Sequence, residues 1–270
     1  MPDFSTLWPL ALHGLAFCAG LSLLTWIASV VRHDASLVDR TWSLMIAGPM
    51  LVYMWEHVAW AGPRTAAVLG LVVAWAVRLS FYITRRNWGH GEDRRYRAIR
   101  ERNEPHFALK SLVIVFALQA VLAWIVAMPT LAGMVGRQPF GALDIVGIVV
   151  AAVGFAFEAI GDLQMAAFRM TPGTRGRVMD TGLWRYSRHP NYFGEALFWW
   201  GIWIVALAAG GLAAAWTVLS PLLMTGLLLK VSGVALLEKD IGERRPAYRD
   251  YILRTNAFIP GPPKRKEPSA

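Results

Sequence analysis

Long apolar stretches are the feature that most limits how this chain can fold. A bilayer crossing takes roughly 20 apolar residues, and seven stretches come close to or exceed that length. They cover residues 7–31, 42–60, 65–84, 111–135, 143–166, 193–210 and 212–236. Soluble domains are about a quarter charged, whereas this chain is 56% hydrophobic and 17% charged. The sequence therefore predicts an all-α, polytopic integral membrane protein with seven transmembrane helices.

Basic residues are distributed unevenly between the connecting loops. The loops after the first, third and fifth stretches, together with the region from Lys230 onward, hold 24 of the 27 Lys and Arg residues. The alternate loops hold only Arg64 and Arg137, and Arg78 lies within the third stretch. Because basic loops stay in the cytoplasm, we expect an outside N-terminus and a cytoplasmic C-terminus, as in a bacterial inner-membrane protein. This topology explains the net charge of +9, so the charge does not indicate a nucleic-acid partner.

Other global features narrow the possible kinds of site. A single cysteine, Cys18, allows neither an intrachain disulfide nor a thiolate metal cluster. The six histidines have no paired ligand spacing, so no metal is predicted. Residues 7–31 lack the flanks of a signal peptide and are interpreted as the first helix. We expect one transmembrane domain over residues 1–263 and a disordered basic tail over 264–270.

Two carboxylates lie inside the fifth apolar stretch. Glu158 and Asp162 are four residues apart and share one helical face, and Arg169 follows Asp162 by two turns. Charged groups within a membrane are costly unless they are paired or hydrated. They indicate either a structural ion network between helices or a polar cavity for a ligand. The segment that follows favours the cavity.

That segment, residues 182–195, reads Gly-Leu-Trp-Arg-Tyr-Ser-Arg-His-Pro-Asn-Tyr-Phe-Gly-Glu. Arg185, Arg188 and His189 come just before Pro190, a residue favoured in the first turn of a helix. Basic side chains beside a helix N-terminus form an anion site, suited to a pyrophosphate or a 2′-phosphate. The alternative is a positively charged anchor that only sets the topology.

The beginning of the next helix carries further polar groups. Asn191 and Glu195 stand one turn apart, with Tyr192 between them. An amide and a carboxylate can hold a carboxamide such as that of nicotinamide, one donating and the other accepting. A purely topological basic loop leaves this Asn and Glu unexplained. No Gly-x-Gly-x-x-Gly follows a strand, so a dinucleotide would bind without a Rossmann domain.

Four other polar features lie near the predicted cytoplasmic ends of the helices. Arg78 needs an anionic partner within the membrane, and residues 85–110 are interpreted mainly as a solvated amphipathic helix. Asp39 is either a helix cap or a site residue. The segment 238–256 is a predicted amphipathic helix, in which Tyr248 either covers an adenosine or rests on lipid headgroups.

The string at 182–195 resembles the signature of the steroid 5-alpha-reductase family, and more closely that of its uncharacterised, mostly bacterial membrane-protein branch. The seven stretches, the Glu158/Asp162/Arg169 group and the Ala257-Phe-Ile-Pro ending are similar too, so the likeness covers nearly the whole chain. Isoprenylcysteine and phospholipid methyltransferases carry a similar Arg-His-Pro-x-Tyr-x-Gly core. The string is therefore more specific for the superfamily than for the reaction.

The resemblance implies a seven-helix bundle that holds NADPH in a cavity facing the cytoplasm. It implies an oxidoreductase that transfers hydride to the C=C bond of an enone in a steroid-like or other apolar lipid. Asp162, Arg169 and Asn191 would hold ribose and phosphates, and Glu195 the nicotinamide amide. With the candidates above, the expected cofactor-binding set is Arg78, Glu158, Asp162, Arg169, Arg185, Arg188, His189, Asn191, Tyr192, Glu195 and Tyr248.

The resemblance also implies a proton donor, because hydride transfer to the β-carbon leaves an enolate that an oriented acid must stabilise. The family uses a Tyr supported by a Glu, and Asp39 is the candidate for that carboxylate. The Tyr position, three residues before Arg78, holds Trp75. An indole N–H donates a hydrogen bond but does not readily yield a proton, so Tyr53 and Tyr82 are the candidate substitutes.

Two other functions stay open on the sequence. The first is an S-adenosylmethionine-dependent membrane methyltransferase, although that cofactor has no phosphates to occupy the arginines. The second is a non-catalytic lipid or sterol binder that keeps the cavity without the chemistry.

Overall fold

Helices form the regular structure of the chain in a computed structural model that describes residues 4–56, 62–174, 176–231, 233–238 and 241–264, without a strand among them. The α-helices are α1 Phe4–Arg32, α2 Leu37–Glu56, α3 Pro63–Asn87, α4 Arg94–Asn103, α5 Phe107–Ser111, α6 Leu118–Val135, α7 Ala142–Met170, α8 Pro190–Gly210, α9 Leu219–Gly226, α10 Val234–Glu238, α11 Ile241–Arg244 and α12 Ala247–Arg254. The 3₁₀ segments are Gly182–Arg185 and Gly211–Val218, and the π segments are Leu112–Ala117 and Leu227–Val231.

Five helical segments of the described residues are long and apolar enough to cross a membrane. They are Leu7–Arg32, Pro63–Asn87, Phe107–Val135, Ala142–Met170 and Pro190–Val231. Large apolar side chains point outward from them, such as Leu24 (65% exposed), Phe81 (65%) and Leu163 (67%). Lipid can solvate such a surface, and helices satisfy their own backbone groups there. These segments confirm an all-helical integral membrane protein.

The last segment, Pro190–Val231, is not a continuous α-helix. α8 ends at Gly210, and Gly211 adopts φ +59°, a left-handed conformation that favours glycine. The sequence predicts a turn at this glycine pair, and the helix breaks there. The predicted seventh helix, 212–236, is instead divided into 3₁₀, α and π elements.

The second predicted stretch, 42–60, corresponds to α2 and is not among the five apolar segments. Its first turn contains Asp39 and Arg40, which lowers its apolar character. Residues 57–60 of that stretch lie outside the described residues, as do residues 265–270 of the predicted basic tail.

Contacts within the chain group it into two compact units. The first comprises Met1–Ile145 and Trp203–Ser220, and the second comprises Val146–Ile202 and Pro221–Ala270. The single domain over 1–263 stays a prediction, and the two units are described separately below.

Close helix contacts at glycine shape the first unit. A Cβ on Gly48 of α2 would lie 1.8 Å from the ring of Phe17 in α1, and a Cβ on Gly136 would lie 2.4 Å from the carbonyl carbon of Ala209. At Gly48 the backbone of α2 packs against the Phe17 ring, and at Gly136 the backbone packs against that of Ala209, as small residues allow in membrane helices.

Candidate functional site

Helices α7 and α8 meet backbone to backbone in the second unit. A Cβ on Gly154 would lie 2.4 Å from the amide nitrogen of Phe198, and a Cβ on Gly194 would lie 2.4 Å from that of Glu158. Glycine is therefore required on both helices. This approach fixes the register that brings the acids of α7 beside the first turns of α8.

Four of the polar residues singled out from the sequence lie along this helix pair. Glu158, Asp162 and Glu195 are 1%, 3% and 8% exposed. Asn191 Nδ2 donates a hydrogen bond to Asp162 Oδ1 at 3.1 Å, so the structure brings together two predicted cofactor residues from sequence positions far apart. The second unit thus contains a partly buried carboxylate–amide pair between two membrane helices.

The carbonyl oxygen of the Asn191 side chain differs from its amide nitrogen in this respect. Asn191 Oδ1 is buried and has no hydrogen-bond partner among the described residues. A buried acceptor left in this state costs about 1–3 kcal/mol, and native proteins rarely leave one without a reason. A ligand that offers an N–H or O–H group here would recover that free energy.

Two predicted phosphate ligands of the second unit are uncommitted. Arg169, at the end of α7, and Arg185, in the motif loop, are both exposed. Within the described part of the chain, neither guanidinium makes an ion pair or hydrogen bond with protein. Arg169 follows Asp162 by two helical turns, a rise of about 10 Å. Both cations therefore remain available to an anion.

Arg188 is in the opposite situation, because its guanidinium is engaged on every side. Nε and Nη2 each donate to the Glu238 carboxylate at 2.7 Å. Nη1 donates to the carbonyls of Ile252, at 3.1 Å, and Thr255. Its role as a phosphate ligand stays a prediction, while its contacts in this structure are those of a buried structural arginine.

His189 completes the same network. Its Nε2 lies 2.9 Å from Glu238 Oε1, and Tyr192 stacks on its ring at a centroid distance of 5.5 Å. Burial alone would raise the pKa of Glu238, but the hydrogen bonds from Arg188 and His189 outweigh burial and hold that pKa at about 2. Glu238 is therefore ionised at neutral pH. We call Arg188, His189 and Glu238 the motif lock.

The loop before α8 is also tied to the C-terminal segment through its backbone. Arg188 N–H donates to the Asn256 carbonyl at 2.9 Å, and Ser187 Oγ donates to the Phe258 carbonyl at 2.8 Å. The Tyr251 hydroxyl donates to the Trp184 carbonyl. The Ala257-Phe-Ile-Pro ending singled out from the sequence thus receives hydrogen bonds from the 182–195 motif.

Tyr248, the expected cover for an adenosine, lies in α12 and is half-buried. Its ring packs edge-on against Tyr251 at 5.2 Å, and burial raises the pKa of its hydroxyl above the usual range. α12 is thus a short helix with aromatic groups on its inner face. Binding to adenosine stays a prediction.

Asp39, the predicted catalytic carboxylate, has partners that the sequence did not suggest. Arg95 Nη2 donates to Asp39 Oδ2 at 2.7 Å, and the Tyr96 hydroxyl donates to Asp39 Oδ1 at 2.6 Å. Tyr96 is 5% exposed; burial and the adjacent Asp39 both raise its pKa well above the usual value. This arrangement differs from an N-cap, since the carboxylate reaches another helix, α4.

Part of the predicted solvated helix at 85–110 is in fact buried, at Tyr96. Arg100 pairs with Glu92 through two hydrogen bonds of 2.9 and 2.7 Å, and Glu92 also accepts from the Ala35 N–H at 2.8 Å. The signal available in the sequence was a lone aromatic residue within the strongly charged helix Arg94–Asn103. An aromatic in such a position indicates a helix that docks on its neighbours.

The other predicted catalytic residues of the first unit lie in separate surroundings. Tyr53 and Trp75 are both fully buried, and Tyr53 faces α1 so closely that a Cβ on Gly14 would lie 2.2 Å from its hydroxyl. Tyr82 is half-buried, with the Arg86 guanidinium 5.7 Å from its ring centroid. Arg78 lies one turn before Tyr82 on α3 and is half-buried.

Over the described residues, no group of three or more His, Cys, Asp or Glu side chains could hold a metal ion. The polar side chains brought together in the second unit are carboxylates, an amide and guanidinium groups, which recognise polar organic groups and phosphates.

Comparison with known proteins places the chain in a family. The family model described as "Protein of unknown function (DUF1295)" matches residues 25–255. The chain is 25% identical over 272 residues to the "Uncharacterized protein C594.04c" of Schizosaccharomyces pombe (strain 972 / ATCC 24843), a match that covers 92% of this chain and 78% of that protein. No solved structure matches the chain significantly. The chain belongs to the DUF1295 family, a membrane family related to steroid reductase-like proteins.

Proposed function

We propose that this protein is a membrane-embedded, NADPH-dependent reductase that acts on the C=C bond of an enone in a steroid-like or other apolar lipid. The observation that carries the proposal is the Asp162–Asn191 pair. It is partly buried between two membrane helices, and the buried atom Asn191 Oδ1 has no partner in the described structure. A site of this kind is suited to a polar organic ligand, and the family relationship suggests which one.

The chemical groups of this unit fit the parts of a dinucleotide. Asn191 Oδ1 can accept a hydrogen bond from a carboxamide N–H or a ribose hydroxyl, while Asp162 and Glu195 offer carboxylate acceptors. Glu158, beside Gly194, adds a fourth buried polar group. NADPH supplies a hydride when bound, and the residues of the chain bind it, orient it and exclude water.

The phosphates of the cofactor are best assigned to the arginines for which the described residues offer no other partner. Arg169 and Arg185 are exposed and uncommitted in the described structure, whereas Arg188 is held by Glu238 and two carbonyls. Charge-assisted hydrogen bonds from guanidinium to phosphate are among the strongest that a protein makes. We therefore assign Arg169 and Arg185 to phosphate binding and Arg188 with His189 to holding the loop.

Seven transmembrane segments and a cytoplasmic cofactor site are part of the same proposal. α2 would add one crossing to the five apolar segments, and the break at Gly210–Gly211 would divide the longest segment into two. The concentration of Lys and Arg in alternate loops supports an outside N-terminus and a bacterial inner membrane. The site residues Arg169, in the last turn of α7, and Arg185 lie at one of these basic connections.

A methyltransferase using S-adenosylmethionine is the second candidate, and the motif lock is the observation in its favour. Arg188 and His189 belong to the string shared with membrane methyltransferases, and both bind Glu238 rather than remaining available to a phosphate. A cofactor without phosphates is compatible with that arrangement. Arg169 and Arg185 would then have no assigned ligand, which is why the reductase is preferred.

Thermal unfolding of the full chain in detergent separates the two functions. NADPH, NADH and S-adenosylmethionine are compared, each at increasing concentration. The cognate cofactor, at a hundred times its dissociation constant, stabilises the fold by about 2.7 kcal/mol. We expect NADPH to give the largest shift, and Asn191→Ala to remove most of it.

Asn103→Ala is the matched control, because it deletes an amide whose Nδ2 donates only to the Ile99 carbonyl of its own helix, at 2.7 Å. It should leave the NADPH shift intact. A shift with S-adenosylmethionine alone would exclude the reductase in favour of the methyltransferase, and no shift with any of the three would favour a lipid binder.

A further inference from the structure

A cavity of about 300 Å³ lies in the first unit, and none of its wall residues is assigned to the cofactor. Its walls are Gly62, Pro63, Arg64, Thr65, Gly133, Met134, Val135, Gly136, Arg137 and Phe140. The wall residues come from the start of α3, the end of α6 and the loop before α7. Two of the wall residues, Pro63 and Val135, are end residues of membrane-spanning segments. The cavity therefore lies at the depth where lipid headgroups meet the apolar core.

The two arginines of the cavity have different roles. Arg64 is fixed, because its Nε and Nη2 donate to the two oxygens of Asp144 at 2.6 and 2.9 Å, and Nη2 also donates to the Pro139 carbonyl at 3.2 Å. Asp144 is itself fully buried and accepts from the Gly141 N–H at 2.9 Å. The ion pair is neutral in sum, and it holds one guanidinium rigidly at the wall.

Arg137 supplies the charge that is not neutralised. It is exposed, and its guanidinium makes no ion pair or hydrogen bond within the described ranges of the chain. The loops predicted to lie outside the cytoplasm contain no other basic residue than Arg64 and Arg137, and both line this cavity. A topology signal does not explain basic residues on that side, because such residues favour the cytoplasmic side.

The rest of the wall suits an amphipathic ligand. The first turn of α3 presents backbone N–H groups that have no acceptor within the helix, and Gly62 before it provides no side-chain cap. Met134 and Val135 are apolar, and Phe140 is 45% exposed at the edge. Cationic and N–H donors therefore adjoin an apolar rim, which is formed by the exposed ring of Phe140.

We propose that this cavity binds the phosphate of an anionic phospholipid headgroup, with Arg137 as its uncompensated cation, the fixed guanidinium of Arg64 as a hydrogen-bonding wall and Phe140 against the lipid chain. The recognised chemistry is a phosphate anion, and the apolar rim identifies a lipid as its source. The site is independent of the proposed reductase activity and of its cofactor.

The experiment measures the thermal stability of the full chain in mixed micelles that contain either phosphatidylglycerol or phosphatidylcholine. Phosphatidylglycerol should stabilise the wild-type chain more, and Arg137→Gln should weaken its apparent affinity about tenfold, as expected for the loss of one charge-assisted contact. Arg102→Gln is the matched control, since Arg102 is an exposed arginine at the end of α4, and it should not change the lipid response.

A second variant tests the site without weakening the fold. Gly62 has extended backbone, with φ −171°, and a Cβ there meets nothing within 4 Å. Gly62→Asp adds a favourable N-cap to α3 but places a negative charge at the cavity, so it should abolish the selective response to phosphatidylglycerol while the protein itself remains stable. Gly62→Ser adds the cap without the charge and should retain the response.

Two results would overturn the proposal. Equal phosphatidylglycerol shifts in wild type, Arg137→Gln and Gly62→Asp would show that the cavity is not where the lipid acts. An equal shift from inorganic phosphate alone, lost in the same variants, would show that the ligand is a free anion rather than a lipid.

Discussion

Two neighbouring parts of the 182–195 motif behave differently, although both are rich in polar groups. In the motif lock, Arg188 and His189 meet Glu238, and all the guanidinium nitrogens of Arg188 have acceptors. A few residues later, Asn191 uses its amide nitrogen on Asp162 and leaves its buried oxygen without a partner in the described structure. The polar groups of the motif lock therefore stabilise the fold, whereas Asn191 Oδ1 is open to a ligand.

Polarity and burial alone do not distinguish these two roles. Arg188 and Glu195 are almost equally buried, at 7% and 8% exposed, and both belong to the same conspicuous string. What differs between Arg188 and Asn191 is the balance of donors and acceptors, because every guanidinium nitrogen of Arg188 has an acceptor while Asn191 Oδ1 has no partner in the described structure. Satisfied buried groups stabilise the fold, and unsatisfied ones cost free energy. The open side of Asn191 is thus the feature to which function is assigned.

The largest expected effect comes from breaking the motif lock. Glu238→Ala leaves Arg188 and His189 without their carboxylate, and removing one partner of a mostly buried pair costs about 3–5 kcal/mol. Urea or thermal unfolding in detergent measures this loss. Glu243→Ala is the control, because Glu243 is exposed and should change stability little. Comparable losses in both variants would mean that the lock is not structural.

A related effect follows from the pKa of Glu238, which lies at about 2 instead of the ordinary 4.5. A depressed carboxyl pKa contributes stability that is fully present above the ordinary value and is lost as the pH falls toward the folded-state value. The difference corresponds to about 3 kcal/mol, lost between roughly pH 5 and pH 2. Thermal melts over this pH range should show a steeper loss in the wild type than in Glu238→Gln.

A smaller loss is expected where Tyr96 meets Asp39 in the first unit. This cluster is satisfied like the motif lock, since Asp39 accepts from both Arg95 and Tyr96. Tyr96→Phe removes one hydrogen bond to a carboxylate and should cost about 1.5–3 kcal/mol. Tyr186→Phe, on an exposed ring, is the control for unfolding measurements. Loss of activity in Tyr96→Phe at full stability would instead point to a catalytic role for Tyr96.

The smallest effect on stability is expected at the uncommitted arginine. Arg169→Gln should change the free energy of unfolding by less than about 0.5 kcal/mol, as surface substitutions usually do, yet it should weaken NADPH binding. Unfolding without ligand and NADPH titration of the same preparation measure the two quantities. Unchanged NADPH affinity would remove Arg169 from the phosphate site and weaken the contrast with Arg188.

Helix positions were largely predictable from the sequence, because crossing a membrane demands a long apolar run. The predicted stretch 143–166 lies within α7, and the predicted stretch 65–84 lies within α3. The end of the chain was less predictable, since the apolar run 212–236 does not reveal where 3₁₀ and π segments replace the α-helix. Hydropathy indicates whether a segment lies in lipid or in water, but it does not indicate which helical hydrogen-bond pattern the segment adopts.

Part of the site could also be predicted, and the missing part is explained by distance along the chain. A buried acid on α7 and an amide in the motif indicated a shared site, and Asp162 does meet Asn191. Glu238 lies 50 residues beyond Arg188, and Tyr96 lies 57 residues beyond Asp39. No local spacing reveals such pairs. The sequence alone therefore did not distinguish Arg188, which binds Glu238, from the exposed Arg185.

We assign the open oxygen of Asn191 to a nucleotide site, and equilibrium binding of NADPH is the decisive measurement for this assignment. Fluorescence titration of NADPH into the full chain in detergent should show saturable binding, weakened at least about tenfold in Asn191→Ala. Binding of equal affinity in the wild type and Asn191→Ala, or no saturable binding to the wild type, would contradict the account.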